Sequence, residues 1–195
     1  MTKVLVVNNY PAKDRAGALE RCLTGNGAEV AAIEWRESSA ARFDSFDGVV
    51  LSGSPEMMTA PRTREKFQGE AQAILDSHAP ILGICFGHQL MAHAFGAEVV
   101  KDTKHVLDMV KTTILVDDPL FEGLPKSLTL LESRYEVVRT VPDRFTLLAR
   151  SETSAIAAMR HRARGLYGVQ FHPERFTAAN PDGDRVVANF LGLLK

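Results

Sequence analysis

Two short apolar runs, Val4-Leu5-Val6-Val7 and Gly48-Val49-Val50-Leu51, carry no polar residue at alternate positions. A strand with one face in water alternates with a period of two, so runs like these belong to strands buried on both faces, as in a parallel sheet covered by helices. The neighbouring segments agree: strand-like runs at 3–7, 29–33, 48–51 and 80–84 alternate with helical patterns near 13–24 and 62–77. This alternation predicts an α/β fold with a central, mostly parallel sheet flanked by helices. From about Ala97 the pattern changes to short strands and turns at 110–116, 128–131, 137–140, 145–149, 155–159 and 166–171, which predicts antiparallel hairpins added to the sheet. Residues 184–194 read as a closing helix, with Val186, Val187, Phe190 and Leu194 at helical spacing and Asp182 or Gly183 near its cap.

A chain of 195 residues without internal repeat, low-complexity tract or Gly/Pro/Ser-rich linker is expected to form one domain over 1–195. Its two cysteines, Cys22 and Cys85, are too few for a disulfide framework, and Cys22 falls in a helical stretch where a buried structural thiol is expected. No apolar run is long enough for a signal peptide or a membrane span, so a cytoplasmic location is expected. The net charge is −1 with both signs interspersed, which argues against nucleic acid or a membrane as partner. The basic cluster Arg160-His161-Arg162-Ala163-Arg164 reads as a solvated hairpin turn.

The chemistry starts at Gly83-Ile84-Cys85-Phe86-Gly87-His88-Gln89-Leu90. A buried strand, Gly-x-Cys-x-Gly and then a helix is the arrangement in which a nucleophile stands on a tight turn at the C-terminal edge of a sheet. The flanking Gly83 and Gly87 suit such a turn, because a β-carbon there would meet neighbouring backbone. The turn also puts Cys85 at a helix N-terminus, where unpaired N–H groups and the helix dipole favour a thiolate. A small buried residue filling a strand end has the same local pattern; a nucleophile additionally needs a base.

Six histidines are present. His78 and His105 lie in polar connecting stretches and His161 in the basic turn, so surface positions are expected for all three. His88 and His93, five apart on the elbow helix, are on different faces and are expected to cap or pack rather than hold a metal. His172 differs: it ends the strand-like run 167–171, and period-two alternation sends Gly168, Gln170, His172 and Glu174 to one side. Pro173 biases His172 toward extended backbone. A carboxylate beside an imidazole fixes its tautomer and supports the imidazolium, so Glu174 is the expected orienter of a base at His172. An oxyanion formed at Cys85 has the N–H of Phe86 as one natural donor, and the turn Ser52-Gly53-Ser54-Pro55, after a neighbouring strand, fits the need for a second.

Together "LSGSP", "GICFGHQL" and "YGVQFHPE", in this order and spacing, make the chain closely similar to the class I, triad-type glutamine amidotransferase domain, over essentially its whole length. The resemblance implies a flavodoxin-like α/β fold and hydrolysis of the side-chain amide of L-glutamine to glutamate and ammonia. By position it implies Cys85 as the nucleophile that forms a γ-glutamyl thioester, His172 as proton shuttle and Glu174 as its orienter. It places the oxyanion donors on the backbone of Ser54 and Phe86, and substrate contacts at Gly53, Gln89, Tyr135 and Glu136, the last two through their backbone. No cofactor and no metal is implied.

Two departures from the family pattern stand out. The loop reads Gly53-Ser54-Pro55 where Gly-Gly-Pro is usual, so Ser54 is asked for a backbone conformation that glycine accepts more easily. The segment Glu132-Ser133-Arg134-Tyr135-Glu136-Val137-Val138 resembles one in the glutaminase subunits of GMP synthase, with Arg134 in the place of a histidine; "SRY" also resembles, more faintly, a segment of anthranilate synthase glutaminase subunits. The chain shows neither a Gly-rich P-loop nor a pyrophosphatase-like Ser-Gly-Gly-x-Asp-Ser segment, so a separate ATP-dependent synthase subunit is the expected partner. The alternatives are a free-standing γ-glutamyl hydrolase or peptidase with the same triad, and a non-catalytic regulatory module of the same fold.

Overall fold

The computed structural model describes residues 1–11, 16–39 and 41–194. Its described residues form one nine-stranded sheet in the order β2-β1-β3-β4-β9-β8-β7-β5-β6. β1 (Thr2–Asn8), β2 (Ala28–Glu34), β3 (Gly48–Leu51), β4 (Ile81–Ile84) and β9 (Leu166–Val169) run parallel. With β9 in fifth place this half follows the flavodoxin-like order. β8 (Ala158–His161), β7 (Phe145–Ser151), β5 (Val99–Ile114) and β6 (Ser127–Val138) continue the same sheet with antiparallel neighbours.

The unalternating runs are explained by two cores. Val4, Val6, Val50, Leu82 and Ile84 pack with Leu19 and Leu23 of α1 (Gly17–Gly25) and Val186, Val187 and Phe190 of α5 (Asp182–Gly192). Leu5, Val7, Val49, Leu51 and Ile81 point the other way, toward Ile74 of α3 (Gln68–Asp76) and Phe86 and Leu90 of α4 (Phe86–Ala94). Each residue along these strands is thus apolar because each side of the sheet is covered. Of the helix expected near 13–24, residues 13–15 lie outside the described residues. The single helix expected over 62–77 is two, α2 (Pro61–Lys66) and α3, separated at Phe67, which leaves helical geometry (φ −99°, ψ 11°). The Phe67 ring is fully buried, 4.8 Å from Trp35 and 4.7 Å from Phe86 between ring centroids.

The second half departs further from its sequence pattern. The strand expected at 110–116 belongs to β5, which is 16 residues long, and those expected at 128–131 and 137–140 are the single strand β6. β5 exposes most of residues 101–109, so its polar residues mimic a loop in the sequence. The basic turn does join a hairpin, β8 to β9, but its side chains are not simply solvated. Arg160 pairs with the buried Asp118 at 2.9 Å, and Arg164 donates to the carbonyls of Ile74 (2.8 Å), Leu75 (3.1 Å) and Ser77, capping the C-terminal end of α3. His161, expected at the surface, is buried: its Nδ1 accepts from the N–H groups of Ala163 (3.1 Å) and Arg164 (3.0 Å), and its ring packs on Phe95 and Phe145. Cys22 is buried as expected, and burial, with Asp184 adding to it, pushes its thiol up to about 12.

α3 also buries a carboxyl. Glu70 is 1 % exposed; its Oε1 accepts one hydrogen bond from Asn9 Nδ2 at 3.1 Å, and burial pushes its acid form up to about 8 against that single opposing contact. Because the folded value lies above the ordinary 4.5, the unfolded chain gives up this proton first. Glu70's contribution is therefore complete below pH 4.5 and is lost as pH rises toward 8. The loss amounts to roughly 5 kcal/mol at most, from about 1.4 kcal/mol for each tenfold change in acidity. Glu70→Gln, a mimic of the protonated acid, is expected to flatten the stability profile between pH 5 and 8. Urea unfolding of both proteins at the two pH values checks this, and an equal fall in the variant refutes it.

Candidate active site

The elbow forms where β4 ends and α4 begins. Cys85 takes φ 51° and ψ −99°, and among the described residues it is the only non-glycine residue with a positive φ. Such a backbone costs on the order of 1–3 kcal/mol and persists only where its surroundings impose it. Here the neighbours are glycines for a measurable reason. A β-carbon on Gly83 would stand 2.6 Å from the Gly87 carbonyl, and one on Gly87 would stand 2.6 Å from the carbonyl oxygen of Leu51 in β3. α4 therefore starts directly against the sheet. The Cys85 N–H donates to Val169 O at 2.8 Å, which ties the elbow to β9.

β9 delivers the histidine. Beyond Val169 the chain continues to His172, whose N–H donates to Leu131 O of β6 at 2.8 Å. Residues Pro173–Arg175 then make a short 3-10 turn, and this turn, rather than continued strand alternation, brings Glu174 back to His172. His172 Nδ1 lies 2.7 Å from Glu174 Oε1, with the two side chains 3 % and 7 % exposed. Cys85 lines the same cleft as this ring, and its side chain acts on the ring's charge. Burial disfavours a charged imidazole, but the Glu174 carboxylate and the Cys85 sulfur outweigh it and push His172 up to about 10. His88, in contrast, is fully buried behind the elbow; burial pushes it down to about 3, so it packs as a neutral ring. His93 is partly buried on the same helix.

The loop after β3 closes the opposite side. A β-carbon on Gly53 would lie 2.8 Å from the Tyr10 hydroxyl and 2.9 Å from His172 Cε1, so only glycine lets this loop lie against the imidazole. Ser54 does not enter the positive-φ region, contrary to the strain its sequence position suggests. Its hydroxyl donates to Asn9 O at 2.7 Å and accepts from the Glu56 N–H at 3.2 Å. Phe86 is the first residue of α4, so its N–H has no partner one turn back within the helix.

β6 supplies the remaining wall. Ser133 O lies 3.5 Å from Cys85 Sγ. Gln89 Nε2 donates to Glu136 O at 2.9 Å and to Gln170 Oε1 at 3.2 Å, so its amide is engaged in holding this wall. Glu136 offers more than the backbone its sequence position suggested: its carboxylate accepts from the N–H groups of Met58 (2.6 Å) and Thr59 (3.0 Å) and from the Thr59 hydroxyl (2.5 Å). Tyr135 is half exposed and stacks on His105, ring centroids 4.1 Å apart and 14° from parallel. His105 is thus on β5 at the mouth of the site, not in a connecting stretch.

These elements enclose a cleft of about 180 Å³ that reaches Tyr10, Ser54, Cys85, Gln89, Tyr135 and His172. A larger open groove of about 830 Å³ runs between residues 41–45 and α3, but its lining among the described residues contains no cysteine or histidine. Sequence reasoning missed Tyr10, Ser133 and His105 as cleft residues. Each reaches the cleft only through strand pairing between distant segments, and none carries a local signal.

Comparison with known proteins points the same way. The pattern of the family described as glutamine amidotransferase class-I matches residues 6–193. The chain is 35 % identical over 194 residues to a protein of Archaeoglobus fulgidus named as a subunit of glutamine-hydrolysing GMP synthase, covering 99 % of each. It is 39 % identical over 150 residues to the protein of the same name from Pyrococcus abyssi, covering 75 % of this chain and 74 % of that one. A crystal structure from Thermoplasma acidophilum, described as that of a candidate GMP synthase subunit, superposes with a TM-score of 0.85 at 32 % identity, covering 100 % of this chain and 94 % of that one. A match running from β1 to the last turn of α5, around one elbow cysteine and its histidine, shows that the chain belongs to the class-I glutamine amidotransferase family.

Proposed function

We propose that this protein hydrolyses the side-chain amide of L-glutamine through a Cys85-His172-Glu174 triad and passes the ammonia to a separate ATP-dependent synthase subunit. The observation that carries this reading is His172, whose ring lies 2.7 Å from the Glu174 carboxylate and shares one cleft with Cys85. In the first step the Cys85 thiolate attacks the amide carbon, and charge develops on the carbonyl oxygen, which accepts from the N–H groups of Phe86 and Ser54. The tetrahedral intermediate collapses as the His172 imidazolium gives its proton to the departing nitrogen, which leaves as ammonia. A γ-glutamyl thioester remains on Cys85. Water then attacks the thioester, His172 takes up its proton, and glutamate leaves with the thiolate restored. Glu174 stays ionised throughout and holds the ring in the tautomer that faces the sulfur. Gly53, Gln89, Tyr135 and Glu136 line the place where the substrate sits, the last two through their backbone.

The partner reading is supported by the names of the Archaeoglobus and Pyrococcus relatives, each of which designates one subunit of a GMP synthase. The test is affinity capture of the partner from native lysate, followed by glutamate formation from glutamine with and without the captured protein. Glutamate is expected in both, and faster with an ATP-using synthase present. No glutamate under either condition overturns the reading. Fast turnover of γ-glutamyl peptides by the isolated chain, with glutamine ignored, replaces it with a free-standing hydrolase.

A further inference from the structure

Arg134 stands where the similar segment of GMP synthase glutaminase subunits has a histidine, and it is one of the most enclosed charges in the molecule: its side chain is 1 % exposed. All three guanidinium nitrogens are engaged. Nε donates to Glu132 Oε2 at 2.7 Å, Nη1 to Asp102 Oδ2 at 2.5 Å, and Nη2 to the carbonyl of Thr153. Glu132, fully buried, is itself held by the hydroxyls of Ser151 (2.5 Å) and Thr153 (2.8 Å). A buried cation is tolerated only with this degree of satisfaction, and a planar fork is the side chain that meets three acceptors at once.

The position of the clamp gives it consequence. β5 and β6 pair Lys101 with Glu136 and then Val106 with Arg134, so residues 102–105 bulge out opposite Tyr135. One end of that bulge is Asp102, bonded to Arg134; the other is His105, stacked on Tyr135. On β6, the residues that flank Arg134 are the ones that meet the nucleophile (Ser133), the elbow helix through Gln89 (Glu136 O) and the segment 58–59 (Glu136 carboxylate). We propose that Arg134 is a positioning residue: its three-point clamp fixes the β5 bulge to β6 and thereby holds the backbone of 133–136 as the wall on which the substrate glutamine seats. This rests on the function proposed above. The clamp touches none of the reacting atoms, so it acts on substrate seating and leaves the chemistry of Cys85 and His172 in place.

The test uses Arg134→Lys, which keeps the charge but loses the fork, and Asp102→Asn, at a partly exposed carboxylate whose loss leaves the buried Arg134–Glu132 pair intact. Each is assayed, with the synthase partner if turnover requires it, for KM and kcat on glutamine, for iodoacetamide alkylation of Cys85, and for folding by circular dichroism. KM is expected to rise about tenfold in Arg134→Lys and about threefold in Asp102→Asn, with kcat within about threefold of wild type, the split that marks lost ground-state binding. The alkylation rate is expected to stay at the wild-type value. An unchanged KM in both variants overturns the clamp, as does a joint loss of kcat, KM and alkylation. If Arg134→Lys fails to fold, Asp102→Asn alone decides. A wild type that never turns over glutamine overturns the functional reading instead, and the clamp's role with it.

Discussion

Cys85→Ala is expected to reduce glutamate and ammonia formation by about 10⁴-fold or more, because removing the nucleophile of a triad leaves only binding and oxyanion stabilisation. His172→Ala is expected to fall almost as far. Without the imidazole the proposed mechanism loses its proton donor to the leaving nitrogen and the counter-charge of its thiolate. The double variant is expected to be no worse than either single one, since the two act as a unit. Glu174→Ala is expected to retain measurable turnover, because in the proposed mechanism that carboxylate, 2.7 Å from the ring, orients it and exchanges no proton itself. Ammonia release in a coupled assay, with the synthase present if needed, measures all four. Wild-type turnover in Cys85→Ala would remove the mechanism outright.

Gly83→Ala is expected to damage both fold and activity. The added β-carbon would stand 2.6 Å from the carbonyl carbon and oxygen of Gly87 and 2.8 Å from His88 N, all backbone atoms of the first turn of α4. Backbone cannot step aside as a flexible side chain can, so the helix must lift from β4 and carry Cys85 with it. Overpacking of this kind costs about 3 kcal/mol, which for a chain of this size lowers the melting temperature by about 6–12 °C. Activity is expected to fall further than the fraction of unfolded protein accounts for, since His172 is anchored on β9 and β6 and does not follow the sulfur. Gly192→Ala, where nothing lies within 4 Å of the new carbon, is the control, and its stability is expected to match or slightly exceed wild type. Melting curves that coincide for Gly83→Ala and wild type would show that the elbow tolerates a side chain and that the glycines have another cause.

The parts of this molecule that could be read from sequence are those whose physics is local. Val4 to Val7 are apolar at every position because both faces of β1 are covered, and that condition is written in four consecutive residues. The turn at Cys85 needs Gly83 and Gly87 within two residues of it, and Glu174 stands two residues from His172, although a 3-10 turn and not strand alternation brings the two together. Spacing and residue type were enough for these. The same reasoning failed where a residue's environment comes from elsewhere in the chain. His161 reads as a surface residue among arginines, yet Phe95 and Phe145 close over it. Residues 99–109 of β5 read as loop because most of them meet water, although β6 pairs with β5 over most of its length.

Local sequence therefore determined the doubly covered parallel strands and the elbow at Cys85, and it singled out His172 and Glu174 as candidates, since each follows from steric and periodic rules acting over a few residues. Only the tertiary structure decided that Ser133 stands over the sulfur, that Glu136 grips residues 58–59, and that Arg134 reaches Asp102 and Glu132. The partners of these groups lie up to 78 positions away. Contacts between charges and carbonyls that far apart impose no periodicity on the chain, so they exist as information only once the sheet has brought the strands side by side.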